Sequence, residues 1–126
     1  MTIGYITLGA TDLDKALPFY DAVLGVFGYA RGPVDGRWAF YGKTDAVGIG
    51  LCNPYDGQPA SGGNGQMVSF KADSQEQIKQ AYDIALAHGA TDEGAPGFRP
   101  EDATSGFYGA YFRDAAGNKL CAYMFI

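Results

Sequence analysis

Two stretches of this chain, about sixty residues apart, repeat one pattern of residue types. Superposing Tyr5 on Met67 places Thr11 on Asp73, Tyr20 on Tyr82 and Leu24 on Leu86, and the dipeptide Leu51-Cys52 recurs as Leu120-Cys121 after a short shift in register. Each copy reads as strand, helix and further strands. Such a copy has an apolar sheet face that it must bury, so the expectation is two βαβββ units that cover one another in an α+β fold, with a curved mixed sheet around a cavity.

In the first copy, Ile3 to Gly9 has strand chemistry and Thr11-Asp12 can accept hydrogen bonds from a helix start. Leu13, Leu17, Tyr20 and Leu24 then recur at helical spacing over residues 12–26. Pro18 falls inside that pattern, where it removes a donor and costs ~3 kcal/mol, so a kink or a late first turn is expected. Tyr29 to Gly32, Arg37 to Tyr41 and Val47 to Leu51 read as a meander, with Val34-Asp35-Gly36 as its first turn. Residues 53–65 are a polar connection rich in Gly and Pro, too short to separate two domains. We therefore expect one domain over residues 1–126, with units over 1–60 and 66–126.

The second copy starts with a strand over Met67 to Ala72. A helix opens at Asp73-Ser74, with Glu76 and Gln77 placed for a capping box. Ile78, Ala81, Tyr82 and Ala85 line its inner face and Gly89 supplies the stop. A Gly- and Asp-rich segment past Gly97 leads to strands over Phe107 to Arg113 and Lys119 to Phe125, joined by the turn at residues 114–117.

Composition narrows the function. The 126 residues hold 9 Lys+Arg against 14 Asp+Glu, a net charge of -5, which argues against nucleic acid or an anionic membrane as partner. With 47% hydrophobic residues the chain is not disordered, and no apolar run is long enough to span a bilayer. Two distant cysteines make no disulfide framework, and Asp12 and Asp14 lie where a signal peptide needs a basic start, so a cytoplasmic setting is expected. A single His leaves few ways to build the common zinc or iron sites.

The chain resembles the vicinal oxygen chelate superfamily, which includes glyoxalase I, bleomycin-resistance proteins, fosfomycin-modifying transferases and extradiol dioxygenases. The resemblance rests on Tyr5-Ile6-Thr7-Leu8-Gly9 leading to Asp12-Leu13, on Phe19-Tyr20-Asp21 with Leu24-Gly25 and Gly28-Tyr29, and on Thr91 to Gly97 with Arg99-Pro100. It continues in Tyr108-Gly109-Ala110-Tyr111 and in Arg113-Asp114 with Gly117-Asn118-Lys119-Leu120. It implies two βαβββ modules, a small-molecule ligand and pairing as a homodimer. In metal-using relatives the ligands come from four strand positions, which in this sequence match Tyr5, a position within residues 49–52, Met67 or Gln66, and Cys121. None is a His or a carboxylate, so no metal and no cofactor are expected.

Met67, Cys121 and Cys52 would suit a soft metal, but Met and free Cys are ordinary core residues and the spacing of a thiolate site is missing. Cys121 has no His partner nearby in sequence to make it a nucleophile. His88 reads as a helix cap, and the Gly runs at residues 25–28 and 62–65 read as turns because neither has the Lys or the strand-to-helix setting of a phosphate loop. Asp56, Glu101 and Asp102 lie in loops where a base would be indistinguishable from a solvated carboxylate.

The aromatic residues carry the functional reading. Strand alternation must turn some of Tyr5, Trp38, Phe40, Tyr41, Phe107, Tyr108, Tyr111, Phe112, Tyr123 and Phe125 toward the concave face, with Met67 and Cys121 beside them and Arg37 and Arg99 at the rim for a carboxylate or phosphate. The expected ligand pocket is thus Tyr5, Arg37, Trp38, Phe40, Met67, Arg99, Tyr108, Tyr111 and Cys121, binding a small organic molecule without metal. The alternatives are a metal-dependent glyoxalase-like lyase or isomerase or a dioxygenase acting on a small oxygenated substrate, and a structural module whose own side chains fill the cavity.

Overall fold

The computed structural model describes residues 2–126. In the first unit, β1 (Tyr5–Gly9) leads into α1 (Leu13–Val26), followed by β2 (Ala30–Arg31), β3 (Trp38–Gly42) and β4 (Gly48–Cys52). In the second, β5 (Val68–Lys71), α2 (Gln75–Ala87), β6 (Thr91–Phe98), β7 (Phe107–Arg113) and β8 (Lys119–Phe125) repeat the order. The strands form two four-stranded mixed sheets, ordered β1-β4-β3-β2 and β5-β8-β7-β6, with the first strand of each unit parallel to its last. The α+β architecture of paired βαβββ units is as expected, and the sheets are not closed.

Local chemistry explains the helices. Asp12 caps α1 by accepting from the Lys15 amide, and the helix starts at Leu13 without the delay expected from Pro18. Pro18 is exposed within the helix, so its ring meets solvent and not the core. Ser74 caps α2 by accepting from the Gln77 amide, while the Gln77 side chain accepts from the amide of Asp73, one residue before the cap. His88 Nδ1 lies 2.9 Å from the Ile84 carbonyl, and Gly89 takes φ +94° to end the helix.

One strand was not legible. β6 occupies Thr91–Phe98, ahead of the Gly- and Asp-rich segment, although it contains Gly94, Pro96 and Gly97. It lies at a sheet edge, where Pro costs no ladder bond, and its pairing with β7 shifts register between Asp92 and Gly94 and again before Gly97.

The helices pack on each other, and the core beneath them joins both sheets. Repeat-related residues are buried in pairs: Leu8 with Phe70, Tyr20 with Tyr82, Val23 with Ala85. Burying side chains such as Val23 and Leu24 completely contributes about 1.5–3 kcal/mol each. The units also share a polar joint. Tyr20 donates its hydroxyl to buried Asp114, whose carboxylate also accepts from the amides of Ala116 and Asn118 and from Asn118 Nδ2. Asn118 Nδ2 further reaches the Gly9 carbonyl at 2.8 Å. Burial and the facing Asp114 carboxylate push the Tyr20 phenol well above its ordinary range.

Candidate functional site

Strand register separates the residues of each sheet into a side that packs under the helices and an open side. In the first sheet, Leu8, Ala39, Tyr41, Ile49 and Leu51 are buried, leaving Tyr5, Trp38, Phe40, Gly48 and Gly50 on the open side. Three rings form one assembly there. Trp38 and Phe40 stack with centroids 5.4 Å apart and an interplanar angle of 7°, and Tyr5 meets Phe40 edge-on at 5.4 Å. Glycine makes this possible: a Cβ at Gly50 would stand 3.0 Å from Trp38 Cζ3 and 3.2 Å from Phe40 Cε1. Arg37 extends the assembly, with its guanidinium 5.0 Å from the Trp38 ring and 5.2 Å from that of Tyr55, while Nη1 donates to the Asn53 carbonyl.

The second sheet builds a related face from different parts. Ser69, Cys121 and Tyr111 stand in one row across β5, β8 and β7, with Gly94 of β6 beyond. Phe107 stacks on Tyr123 at 5.6 Å and 3°, and its ring lies so close over Gly109 that a Cβ there would come within 2.8 Å of it. Two cations converge on the Tyr111 ring, Arg99 at 5.6 Å and Lys119 at 5.4 Å. Cys121 is buried beneath them; burial pushes its thiol pKa up, against the opposing pull of Ser69, Arg99 and Lys119. Burial raises the Tyr111 phenol as well, followed in size by the neighbouring Cys121.

Seven of the nine residues expected at a ligand site thus stand in two groups. Tyr5, Arg37, Trp38 and Phe40 belong to the first sheet, and Arg99, Tyr111 and Cys121 to the second. Met67 precedes β5 and is 45% exposed on the side opposite Val68, which packs against the core. Tyr108 does not join them. It lies on the helix side of β7, packed edge-on against Phe98 and the core, because Phe107 and not Tyr108 takes the open position. Phe107, one of the strand aromatics in the sequence, was not assigned to the pocket, and sequence reasoning missed Lys119 and Tyr55. Lys119 was within reach of alternation, two residues from Cys121 on one strand, whereas nothing in a polar loop marks Tyr55 as a partner for Arg37.

The repeat, seen in register, changes one assignment. Thr7 pairs with Gly50 and Ser69 with Cys121, so Cys121 is equivalent to Gly50 and not to Cys52, despite the shared Leu-Cys dipeptide. The four strand positions implied for metal ligands therefore hold Tyr5, Gly50, Met67 and Cys121, with two aromatic rings laid over the glycine. These donors do not fit a hard or borderline divalent metal, and among the described residues no three of His, Cys, Asp and Glu cluster as a metal site. Cys52 and Cys121 are both buried and free. A cavity of about 180 Å3 lies elsewhere, at the joint between the units, lined by Ala10, Ala16, Phe19, Tyr20, His88 and Ala116 among others. No helix among the described residues is long and apolar enough to cross a membrane.

Comparison with known proteins agrees with this architecture. The family described as the Glyoxalase/Bleomycin resistance protein/Dioxygenase superfamily matches residues 2–122. A glyoxalase/bleomycin resistance protein from Albidiferax ferrireducens T118 is 37% identical in sequence, with a TM-score of 0.85 and 98% of each chain covered. More remote structures share the fold: a glyoxalase/bleomycin resistance protein/dioxygenase family enzyme from Burkholderia phytofirmans PsJN at 19% identity, TM-score 0.75 and 98% of each chain, and a glyoxalase-related enzyme from Fulvimarina pelagi at 16%, TM-score 0.76, 98% of this chain and 87% of the other. No curated protein matches. With the family pattern spanning nearly the whole chain and both βαβββ units in place, the chain belongs to the Glyoxalase/Bleomycin resistance protein/Dioxygenase superfamily.

Proposed function

We propose that this chain is a metal-free binding protein that holds a small organic molecule against the aromatic open face of its sheets, and that a second copy of the chain closes the site. The observation that carries this reading is the ring assembly over Gly50: a metal-using relative would need a ligand there, and this chain offers stacked Trp38 and Phe40. Exposed flat rings bind flat or partly apolar molecules by stacking and burial of apolar area. Tyr5 is 57% and Phe40 43% exposed on the first open face and Phe125 69% exposed on the second, apolar surface that supports coverage by a ligand and a partner copy. Free, buried cysteines suit a reducing cytoplasm.

Elemental analysis and tryptophan fluorescence test the proposal together. Trp38 is the sole tryptophan, so its emission reports the first face directly. We expect substoichiometric nickel, zinc, iron and manganese after dialysis, quenching or shift of Trp38 emission with aromatic ligands, and a dimeric mass by light scattering. Stoichiometric metal surviving dialysis would favour the lyase, isomerase or dioxygenase reading instead. A monomer at micromolar concentration would remove the second copy from the site.

A further inference from the structure

We infer that the second open face selects planar organic acids, with the ring of the ligand against Phe107, Tyr111 and Tyr123 and its carboxylate held by Arg99 and Lys119. This rests on the reading of the open faces as a ligand surface and gives that ligand its chemical class.

The second open face carries unmet positive charge. Among the described residues the ion pairs are Lys15 with Asp12, Arg31 with Asp21, Lys79 with Asp83 and Arg113 with Glu93. Arg99 and Lys119 enter none, although both are half-buried and the chain carries more acidic than basic residues. A half-buried cation without a counter-charge gives up hydration for little return. Nearby carboxylates are engaged elsewhere: Glu93 with Arg113, and Asp92 with the amide of Gly94.

The two cations are also held in place. Arg99 donates from Nη2 to the Ala95 carbonyl at 2.7 Å and from Nη1 to the Phe98 carbonyl at 3.0 Å, bonds that fix the guanidinium without cancelling its charge. Gly94 and Gly97 make room for it, since a Cβ at either would stand 3.0 or 3.1 Å from a guanidinium nitrogen. With Lys119 brought to the same ring, two positive charges stand within 5.6 Å of the Tyr111 centroid and leave this part of the face electropositive. Lys71 stands in the next row beside Tyr123 and adds to the positive potential. The rings supply the rest of the recognition: Phe107 lies parallel to Tyr123 and within 19° of Tyr111, a stacked aromatic row that a flat ligand can extend.

The test compares 2-naphthoate with its neutral analogue 2-naphthalenemethanol by calorimetry, on the intact protein at fixed concentration. We expect naphthoate to bind at least tenfold more tightly, with the gap narrowing as salt rises. Arg99→Gln with Lys119→Gln should erase the preference while leaving the alcohol within twofold, and Arg99→Lys should retain part of it; circular dichroism confirms that the variants fold. Equal affinities in the unmodified protein, or a preference that survives the double substitution, overturn the assignment. If both compounds bind equally and Tyr111→Ala abolishes both, the ligand face stands and only its charge selection falls. If neither binds, both readings fall.

Discussion

Gly50 in the first sheet and Cys121 in the second sit at equivalent places, each between the opening strand of its unit and an aromatic residue. Around Gly50 the aromatic rings fold down over the backbone, and the single cation, Arg37, is at the end of the stack between Trp38 and Tyr55. Around Cys121 the side chain fills the floor and the cations stand directly over the neighbouring Tyr111. One duplicated frame thus presents an apolar surface on one sheet and an electropositive one on the other. The difference shows how a scaffold keeps its core pattern on the helix side while its open side drifts in chemistry.

The contrast can be broken by filling the glycines. Gly109→Ala should cost the most, about 2–3 kcal/mol, because the new methyl meets Phe107 at 2.8 Å and the Ala122 carbonyl at 3.1 Å, and the carbonyl cannot move aside. Urea denaturation measures this, and a loss below that of Gly50→Ala would sink the distinction between the faces. Tyr108→Ala should cost about 1–2 kcal/mol by removing a partly buried ring, with naphthoate affinity unchanged in calorimetry because the residue faces the helices.

A third experiment uses pH. The Tyr20 phenol is held well above its ordinary range by burial and then by Asp114, and that of Tyr41 is raised by burial and then by Asp21. Unfolded phenols ionise near 10 and these folded ones higher, so stability is complete below about pH 10 and falls as pH rises, by about 1.4 kcal/mol per unit for each such group. Tyr20→Phe should flatten that slope, and an unchanged slope would show that the joint does not shield its phenol. Gly50→Ala comes last, at under about 1 kcal/mol, since only exposed ring edges must shift; its signature is a change in Trp38 emission as the stack opens.

Much of this frame was legible because it repeats. Helix spacing, the caps at Asp12 and Ser74 and the stop at Gly89 are local signals, and the structure follows them. β6 was hidden since its pairing is held by β7 rather than by its own residues, with Gly94 and Pro96 reading as loop. The open face was half legible. In Phe107-Tyr108 alternation assigns one ring to each side but cannot say which, and the choice is made by register with β8. The shared Leu-Cys dipeptide misled for the same reason: only pairing shows that Cys121 matches Gly50. That Arg99 and Lys119 both reach the Tyr111 ring depends on the pairing of β6 and β8 with β7, which no spacing in the chain encodes.

The joint made by Tyr20, Asp114 and Asn118 bears on how the chain is born. Its partners are 94 and 109 residues apart in sequence, so α1 leaves the ribosome long before the carboxylate that receives the Tyr20 hydroxyl and the amide that reaches Gly9. The first unit should therefore stay open to proteolysis in nascent chains stalled before Asp114 and become resistant once Asn118 and the whole of β8 have emerged. Protection in the shorter chains would show that the first unit closes by itself. The duplicated fold, in this view, is latched from its far end, and its halves mature together.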